Sequence, residues 1–505
     1  MPQAALRRIG FIFRILLTIV VAPALLGGQA PSGKHPPRYR LVDLGTLGGP
    51  ISYGSVNSAG GRILNNAGVV SSYADTTEAD PNAPDFCFNP DCLVAHAYRW
   101  RRGVLDDLGS LAPGATSLVA HINDRGWGIG QSLTGSIDPL FGAPQTTAVV
   151  WTNRRMIPLG YLPGGTESIG TSINGAGQAV GIALNGVADP FAPIPAGFQN
   201  RTFLWERGEM VDIGTLGGPD TLPGGGCDLQ RPNIVVGASY TSYTPNPSTG
   251  VPTLDPFLWE NGIMIDLGNL GGTMSFEICA NNRKEVIGSS NLPGDQVSHA
   301  FLWRNGHMTD LGTLGGNVSE AVWINDAGVI AGTADLPTPD IHDAVRWKDG
   351  QILDLGTVDG DACSCARAIN AAGVIVGGSS DCTNYLHAFV WKEGGPMLDL
   401  NKLIPPGSGL QLLSAVNINA RGEILVKTAP IGTAPHDDQD LGHVVLLIPC
   451  DDDDSPCENS MTSAAVQKQQ SVRGSIRSET EMTSSFHKMW QAYRAQTSAK
   501  SFPEQ

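Results

Sequence analysis

The stretch HAFLWRNGHMTDLGTLGG (299–316), resumed two residues later as SEAVWINDAGVIAGTAD (319–335), is one copy of a unit that recurs along the chain. Its tryptophan returns as Trp100, Trp151, Trp205, Trp259, Trp303, Trp347 and Trp391, at intervals of 51, 54, 54, 44, 44 and 44 residues. The DLG-like element returns at Asp43, Asp107, Pro158, Asp212, Asp266, Asp310, Asp354 and Asp399, which makes eight. The asparagine of the IND-like turn returns at Asn65, Asn123, Asn174, Asn281, Asn325, Asn370 and Asn419, with a decayed eighth copy around Gln230. A period of this length marks a repeat architecture, in which each unit buries its apolar face on its neighbours.

Each unit reads as four short strands: HAFLW, the MTDLG stretch, the AVWIN stretch and VIAG. RNG or ENG between the first two has the chemistry of a tight hairpin, and IND-x-G between the last two places Gly where the chain needs positive φ. Four strands in 44 to 54 residues is the size of a propeller blade. The first unit begins at YRLVDLG (39–45) without an HAFLW strand, and the last ends at HVVLLI (443–448) without a DLG strand, so each end lacks what the other supplies. Pairing the ends in one blade removes the sheet edges that invite aggregation. The expected fold is all-β: a β-propeller of eight four-stranded blades, closed by residues 443–448 running antiparallel to 40–43. Seven blades with one irregular unit is the runner-up.

Composition agrees with many short strands and tight turns. Of 505 residues 63 are Gly and 35 are Pro, while charged residues make only 16%, against about 25% in an ordinary globular chain. The formal charge is −16, but residues 1–30 carry three Arg and no acid, and 458–505 carry six bases and four acids. The body, 31–457, is therefore more acidic than the whole, and such a surface repels phosphate backbones, so nucleic acid is excluded as a partner.

Residues 1–30 read as a signal peptide: Arg7 and Arg8, a 12-residue apolar run (15–26), then small residues. The run is short for a membrane span, and no Cys follows it to support a lipoprotein route. The mature chain is expected to be secreted or displayed at the cell surface, monomeric and without a membrane span. In that compartment the nine cysteines read as disulfides. The close spacings are Cys87 with Cys92, Cys450 with Cys457, and Cys363 or Cys365 with Cys382. Cys227 and Cys279 fall in corresponding stretches of neighbouring units, and one cysteine must stay odd. Residues 458–505 are Ser- and Gln-rich and read as a largely disordered tail, in which Phe486, Met489, Trp490 and Tyr493 lie on one face of a short helix.

The HAF tripeptides at 299–301 and 387–389, with DLGTLGG and IND-x-G, resemble the HAF repeat family of extracellular proteins over residues 40–448. The resemblance implies an exported repeat protein and no established activity. Pro158, the turn near Gln230, and Leu447 in place of Trp depart from the pattern.

His96, His299, His387 and His443 occupy one place in the unit, four residues before the Trp or its Leu447 replacement. Thr147, Arg201, Asp255 and Asp343 fill it elsewhere. A catalytic pair needs one unique geometry, so these histidines are expected to be structural, the DLG aspartates to bond strand ends, and the IND asparagines to cap their own turns. The standard hydrolase, nucleotide and metal signatures are absent, and no cofactor or metal residue is assigned. The run Asp451 to Asp454 lacks the alternating ligands of a calcium loop.

Function is sought where the unit varies. Strand direction alternates, so both short hairpin turns of every unit lie on one face of the ring and the longer connections on the other. The insertions at 74–95, 132–146, 183–200 and 238–254 all belong to that second face. Ligand-binding candidates there are Tyr73, Asp75, Asp85, Phe86, Phe88, Asp91, Phe141, Asp189, Phe191, Phe198, Tyr240, Tyr243 and Tyr385. The leading expectation is a binding propeller for a glycan or protein; the alternatives are a glycosidase- or lyase-type enzyme with paired carboxylates at the ring mouth, or a purely structural cell-surface repeat protein.

Overall fold

A computed structural model describes residues 37–54, 61–89, 91–153, 155–193, 197–225, 227, 229–432, 442–450, 462–463 and 465–467. The signal-peptide residues, the acidic run 451–454 and the amphipathic stretch around Trp490 lie outside them. The described chain forms eight antiparallel sheets, each a propeller blade.

Blade 1 comprises Ser52–Tyr53, Val70–Ala79, Leu93–Arg101 and Val104–Gly109; blade 2, Ser117–Ile122, Gly128–Ile137, Pro144–Trp151 and Met156–Pro158. Blade 3 is built from Ser168–Ile173, Ala179–Ala188, Phe198–Glu206 and Glu209–Asp212, and blade 4 from Thr221–Pro223, Ile234–Tyr240, Leu254–Glu260 and Ile263–Asp266. Blade 5 has Ser275–Ala280, Val286–Asn291, Ser298–Arg304 and His307–Asp310; blade 6 has Ser319–Ile324, Ile330–Asp335, His342–Lys348 and Gln351–Asp354. Blade 7 is Cys363–Ile369, Ile375–Ser380, Tyr385–Trp391 and Leu398–Asp399. Blade 8 takes Leu410–Ile418, Ile424–Pro430 and Val444–Pro449 from the C-terminal side and Tyr39–Asp43 from the N-terminal side.

The closure has the expected direction and register. Val42 faces Leu446 and Asp43 faces Val445 across the antiparallel pair, and the N–H of Leu44 donates to the carbonyl of Val444 at 3.2 Å. Leu447 stands opposite Ile424 as Trp391 stands opposite Ile375, so it takes the tryptophan's place in the register. Trp100, Trp151, Trp205, Trp303, Trp347 and Trp391 are buried among strands of their own and adjoining blades, which is the packing role expected of them. The hairpins also follow the sequence: Asn305 and Gly306 both have positive φ (53° and 84°), as the two central residues of a type I′ turn require.

Short backbone segments of the tail are ordered. Thr462–Ser463 pairs in parallel with the outer strand of blade 8, and Ala465–Gln467 with the outer strand of blade 1. These residues straddle the closure seam, whereas composition alone predicts a tail with no strands.

Two hydrogen-bond systems tie blade to blade. In blades 2, 3, 6 and 7 a Ser at the start of the first strand grips the blade before it: Ser319 Oγ accepts from the N–H of Ala300 (2.9 Å) and donates to the carbonyl of Gly312 (2.7 Å), and Ser364, Ser168 and Ser117 repeat this. At the opposite face each IND asparagine works in two directions. Its Oδ1 accepts the N–H groups two and four residues on, as expected of a cap; in Asn325 these are Ala327 (3.0 Å) and Val329 (3.1 Å). Its Nδ2 donates to the carbonyl at the matching turn of the next blade, Asn325 to Asn370, Asn370 to Asn419, and Asn419 to Asn65, which passes the ring's closure at 3.0 Å. Where the asparagine is lost, the N–H of Gln230 donates to Asn282 Oδ1 at 2.9 Å and the chain of contacts continues.

Candidate functional site

The place held by the HAF histidine lies at the start of a blade's third strand and the DLG aspartate at the end of its fourth, so both sit on the long-loop face. Nδ1 of His96, His299 and His443 lies 3.1, 2.9 and 3.0 Å from Asp107, Asp310 and Asp43, and Arg201 takes the same part against Asp212 (2.9 Å). Each aspartate also caps the glycine two residues on, as Asp310 does for Gly312 (2.8 Å). The pairs are copies of one strand-end latch at separate blades. His387 departs: it bonds Asp361 at 2.9 Å, while Asp399 caps Asn401.

The His443–Asp43 latch joins residues 400 positions apart. Asp43's hydrogen bond holds the imidazole above its ordinary pKa despite partial burial. Burial raises the Asp43 carboxyl, but His443 and the Gly45 N–H together bring it below its ordinary value. A raised histidine stabilises the fold fully below about pH 6.5 and loses that contribution as pH rises through its folded pKa; the lowered aspartate contributes above about pH 4 and fades as pH falls through its own. His443→Gln should therefore cost more at pH 5.5 than at pH 8.5, by less than about 1 kcal/mol because the pair is part-exposed. Chemical denaturation of both proteins at the two pH values checks this, and equal costs would refute it.

The loop candidates are drawn largely into packing. Tyr73 is buried, stacked on Tyr53 with ring centroids 4.3 Å apart and edge-on to Phe88 at 6.3 Å. Asp75 is buried beneath the loop closed by Cys87–Cys92; it accepts from Tyr53 Oη (3.1 Å) and the N–H of Ile51 (3.2 Å). Burial, followed by the charge of Asp91, pushes its carboxyl up to about 7. Tyr240 is buried and donates to the carbonyl of Phe191 at 3.2 Å. Asp189 is buried as well, with Oδ1 capping the N–H of Phe191. Tyr73, Asp75, Asp189 and Tyr240 are thus buried and held by contacts within the protein. Phe141 and Phe198, half-buried, meet edge to face at 5.5 Å and join the loops of blades 2 and 3. Tyr385, half-buried, accepts from Arg367, whose guanidinium also lies 5.3 Å from its ring. Phe86, Phe88 and Phe191 are half-buried, Asp85 and Asp91 exposed, and Tyr243 is 61% exposed.

Cys87–Cys92 and Cys363–Cys382 brace this face, whereas Cys227–Cys279 joins the first-to-second-strand connection of blade 4 to the first strand of blade 5, toward the short-turn face; the Cα atoms of the last two pairs lie 5.0 and 5.4 Å apart. Cys450 is also bonded, and Cys457 lies outside the described residues. Among the described residues the free thiol is Cys365, on the first strand of blade 7. Burial would raise it, but a hydrogen bond with His342 and the charges of His342 and Arg367 outweigh this and hold it below an ordinary thiol.

Buried acids meet in pairs, and three of them, Asp138, Glu167 and Asp220, were missed by sequence reasoning. Asp138 meets Glu167 between blades 2 and 3, Asp189 meets Asp220 between blades 3 and 4, and in blade 6 Asp343 meets Asp354, each pair within hydrogen-bonding reach. The available signal was an Asp-Pro step in each of three long insertions, at Asp80, Asp138 and Asp189. Inverting glycosidases separate their acids by about 6.5–9.5 Å and retaining ones by about 5–5.5 Å; these pairs are tighter than either. Among the described residues no group of three His, Cys, Asp or Glu gathers as a metal cluster. At the short-turn face the axis holds a polar cavity of about 160 Å³ lined by Asn66, Asp124, Gln230, Asn282, Trp323 and Asp326, below the roughly 300–1,000 Å³ of small-molecule sites.

No protein-family model and no curated protein matches the chain. Among solved structures it is similar to the β-propeller domain of the Trilobed protease from Pyrococcus furiosus, which has an open velcro topology, at 8% identity over 72% of this chain and 95% of that one, TM-score 0.38. Pyrococcus horikoshii acylaminoacyl peptidase aligns at 10% identity over 79% of this chain, which spans 58% of that enzyme, TM-score 0.37. TolB from Acinetobacter baumannii aligns at 9% over 76% and 79%, TM-score 0.32. The eight-bladed all-β ring is read from the sheets themselves, and among the described residues no helix is long and apolar enough to cross a membrane.

Proposed function

We propose that this chain is an exported propeller of the HAF repeat kind that binds a glycan or protein through its long-loop face. The observation that carries the reading is the contrast between the faces. On one, short turns repeat from blade to blade; on the other, long unlike loops are braced by Cys87–Cys92 and Cys363–Cys382 and carry half-exposed aromatics. Varied loops on a rigid scaffold are where binding residues concentrate, and aromatic side chains supply most of the energy at such surfaces. Disulfides support an oxidising compartment. The tight acid pairs give no support to a glycosidase reading.

Two measurements test it. Mass spectrometry of chain recovered from the producing cell should find the first residues removed and a single alkylatable thiol at Cys365; an intact Met1 with nine reduced cysteines would overturn export. Full-length protein screened against polysaccharides and surface proteins should bind at least one class, and Tyr243→Ala or Phe141→Ala should weaken that binding about tenfold, on the order of 1.4 kcal/mol. Binding to nothing, or binding indifferent to both substitutions, would favour the purely structural alternative.

A further inference from the structure

Two successive blade junctions on the long-loop face share one construction. Asp189, in the loop of blade 3, spends Oδ1 on the N–H of Phe191 (3.0 Å) and keeps Oδ2 buried with no donor. Asp220, just ahead of the first strand of blade 4, is fully buried; Oδ1 accepts the N–H of Asn200 (2.6 Å), and Oδ2 has no donor. Asn200 and Thr202 are fully buried on the strand beside Asp220. The Asn200 amide lies against that carboxylate, Nδ2 to Oδ1 at 3.4 Å, while Asn200 Oδ1 and Thr202 Oγ1 have no donor.

One junction earlier the pattern returns. Asp138 caps the N–H of Leu140 (2.6 Å) and Phe141 (3.0 Å) with Oδ1 and leaves Oδ2 buried and undonated. Glu167, which precedes the first strand of blade 3 as Asp220 precedes that of blade 4, accepts the N–H of Thr146 on both oxygens (3.2 and 2.9 Å). Thr146 is fully buried, and its Oγ1 and that of Thr166 lack donors.

Each junction thus sets two carboxyl groups within hydrogen-bonding reach of one another, with unpartnered neutral oxygens on the adjoining residues, and among the described residues no Lys, Arg or His is ion-paired with the four acids. Buried carboxylates at hydrogen-bonding distance cannot both stay ionised without a positive charge between them; the charge is either a shared proton or a cation. The threonine hydroxyls bring protons of their own, so what each junction lacks is positive charge rather than hydrogen-bond donors. A set made only of carboxylate, amide and hydroxyl oxygens suits a hard cation, and irregular loop geometry suits calcium above magnesium, which demands a near-ideal octahedron. We propose that each junction binds one calcium ion, held by Asp189, Asp220, Asn200 and Thr202 in one case and by Asp138, Glu167, Thr146 and Thr166 in the other, and that the ions pin the long loops to the ring.

The test is calcium titration of the full chain after chelation and desalting, by calorimetry and by melting. Two ions per chain are expected, with dissociation constants of about 10⁻⁴ to 10⁻³ M, the range of extracellular modules, and a melting temperature raised by several degrees at saturation. Asp220→Asn should abolish one binding event and Glu167→Gln the other. Both variants should melt, without calcium, no lower than the parent, because each relieves a repulsion; that keeps lost binding distinct from lost folding. Magnesium at the same concentration should give less than a tenth of the shift. Neither heat nor a melting shift up to about 10 mM calcium would overturn the proposal and leave each pair sharing a proton, as would calcium binding that both substitutions leave intact.

Discussion

Deleting residues 443–457 should unfold the whole ring, whereas deleting 458–505 should lower its melting temperature by no more than a few degrees. The first deletion removes the middle strand of the composite blade, which pairs with Ile424–Pro430 on one side and Tyr39–Asp43 on the other. Val444, Val445, Leu446 and Leu447 are buried to 1% exposure or less. At roughly 1.5–3 kcal/mol for each such side chain, their loss is on the order of 6–12 kcal/mol, comparable to the roughly 5–15 kcal/mol by which folded domains are stable. Closing the intervening loop costs little, because loop-closure entropy grows only logarithmically with length. Among the described residues the second deletion removes the parallel pairings of Thr462–Ser463 and Ala465–Gln467 at outer edges. Circular dichroism melts of the two truncations separate the cases; if they melted alike, the strand from 443 onward would not be what closes the ring.

The closure was legible because it needed only register. Asp43 opens the DLG series and His443 falls four residues before the Trp-equivalent Leu447, so counting along the unit places them side by side, where they pair at 3.0 Å. The turns were legible for the same reason: Asn-Gly and IND-x-G fix local φ/ψ within a few residues. What the pattern does not carry is any contact whose partner lies one unit away. Asn325 Oδ1 bonds its own turn, which local chemistry predicts, but its Nδ2 reaches Asn370 in the next blade, which nothing within the turn requires. The decayed turn at Gln230 looked like a lost contact, yet its backbone N–H supplies the link instead.

On the loop face, the side chains that turn inward were not legible in the sequence. An acid or aromatic in a long polar insertion is ordinarily solvated, and nothing in the sequence sets Asp75, Asp189, Tyr73 and Tyr240 apart from such residues. Each is buried because the insertion folds back over the blade edge: Asp75 meets Tyr53 from 22 residues away, and Tyr240 meets Phe191 from 49. The cysteines fared better, since disulfide geometry restricts partners to Cα separations of about 4.4–6.8 Å and short spacings meet that cheaply. Even Cys227 with Cys279, 52 positions apart, was placed by its matching position in adjoining units. The acids at Glu167 and Asp220 were passed over because each stands alone in sequence, and its partner arrives from the preceding blade.

Gly237→Ala should destabilise the ring by about 3 kcal/mol, a large effect for one methyl group. Gly237 stands opposite Phe257 in the ladder, as Gly181 stands opposite Phe203 and Gly377 opposite Phe389, so the VIAG glycine and the HAF phenylalanine are one device repeated. The fully buried Phe257 ring lies flat over the glycine: a Cβ there would come within 2.4 Å of Phe257 Cζ and also within 2.4 Å of the carbonyl oxygen of Leu222. The ring can shift only by disturbing the blade core, and the carbonyl can move only by loosening the first strand of the blade. Overpacking of this kind typically costs about 1–3 kcal/mol, and a clash on two sides belongs at the upper end. Gly395→Ala is the control, since the added methyl meets only Lys392 O at 3.5 Å; its effect should stay within about 0.5 kcal/mol. Phe257→Leu removes one of the two clashes, so the double variant Gly237→Ala/Phe257→Leu should be more stable than the sum of the single costs implies, by roughly 0.5–3 kcal/mol. Denaturant midpoints of the four proteins decide it. Strict additivity would mean that Gly237 answers to the Leu222 carbonyl alone, and that the phenylalanine and glycine of the repeated unit are retained for separate reasons.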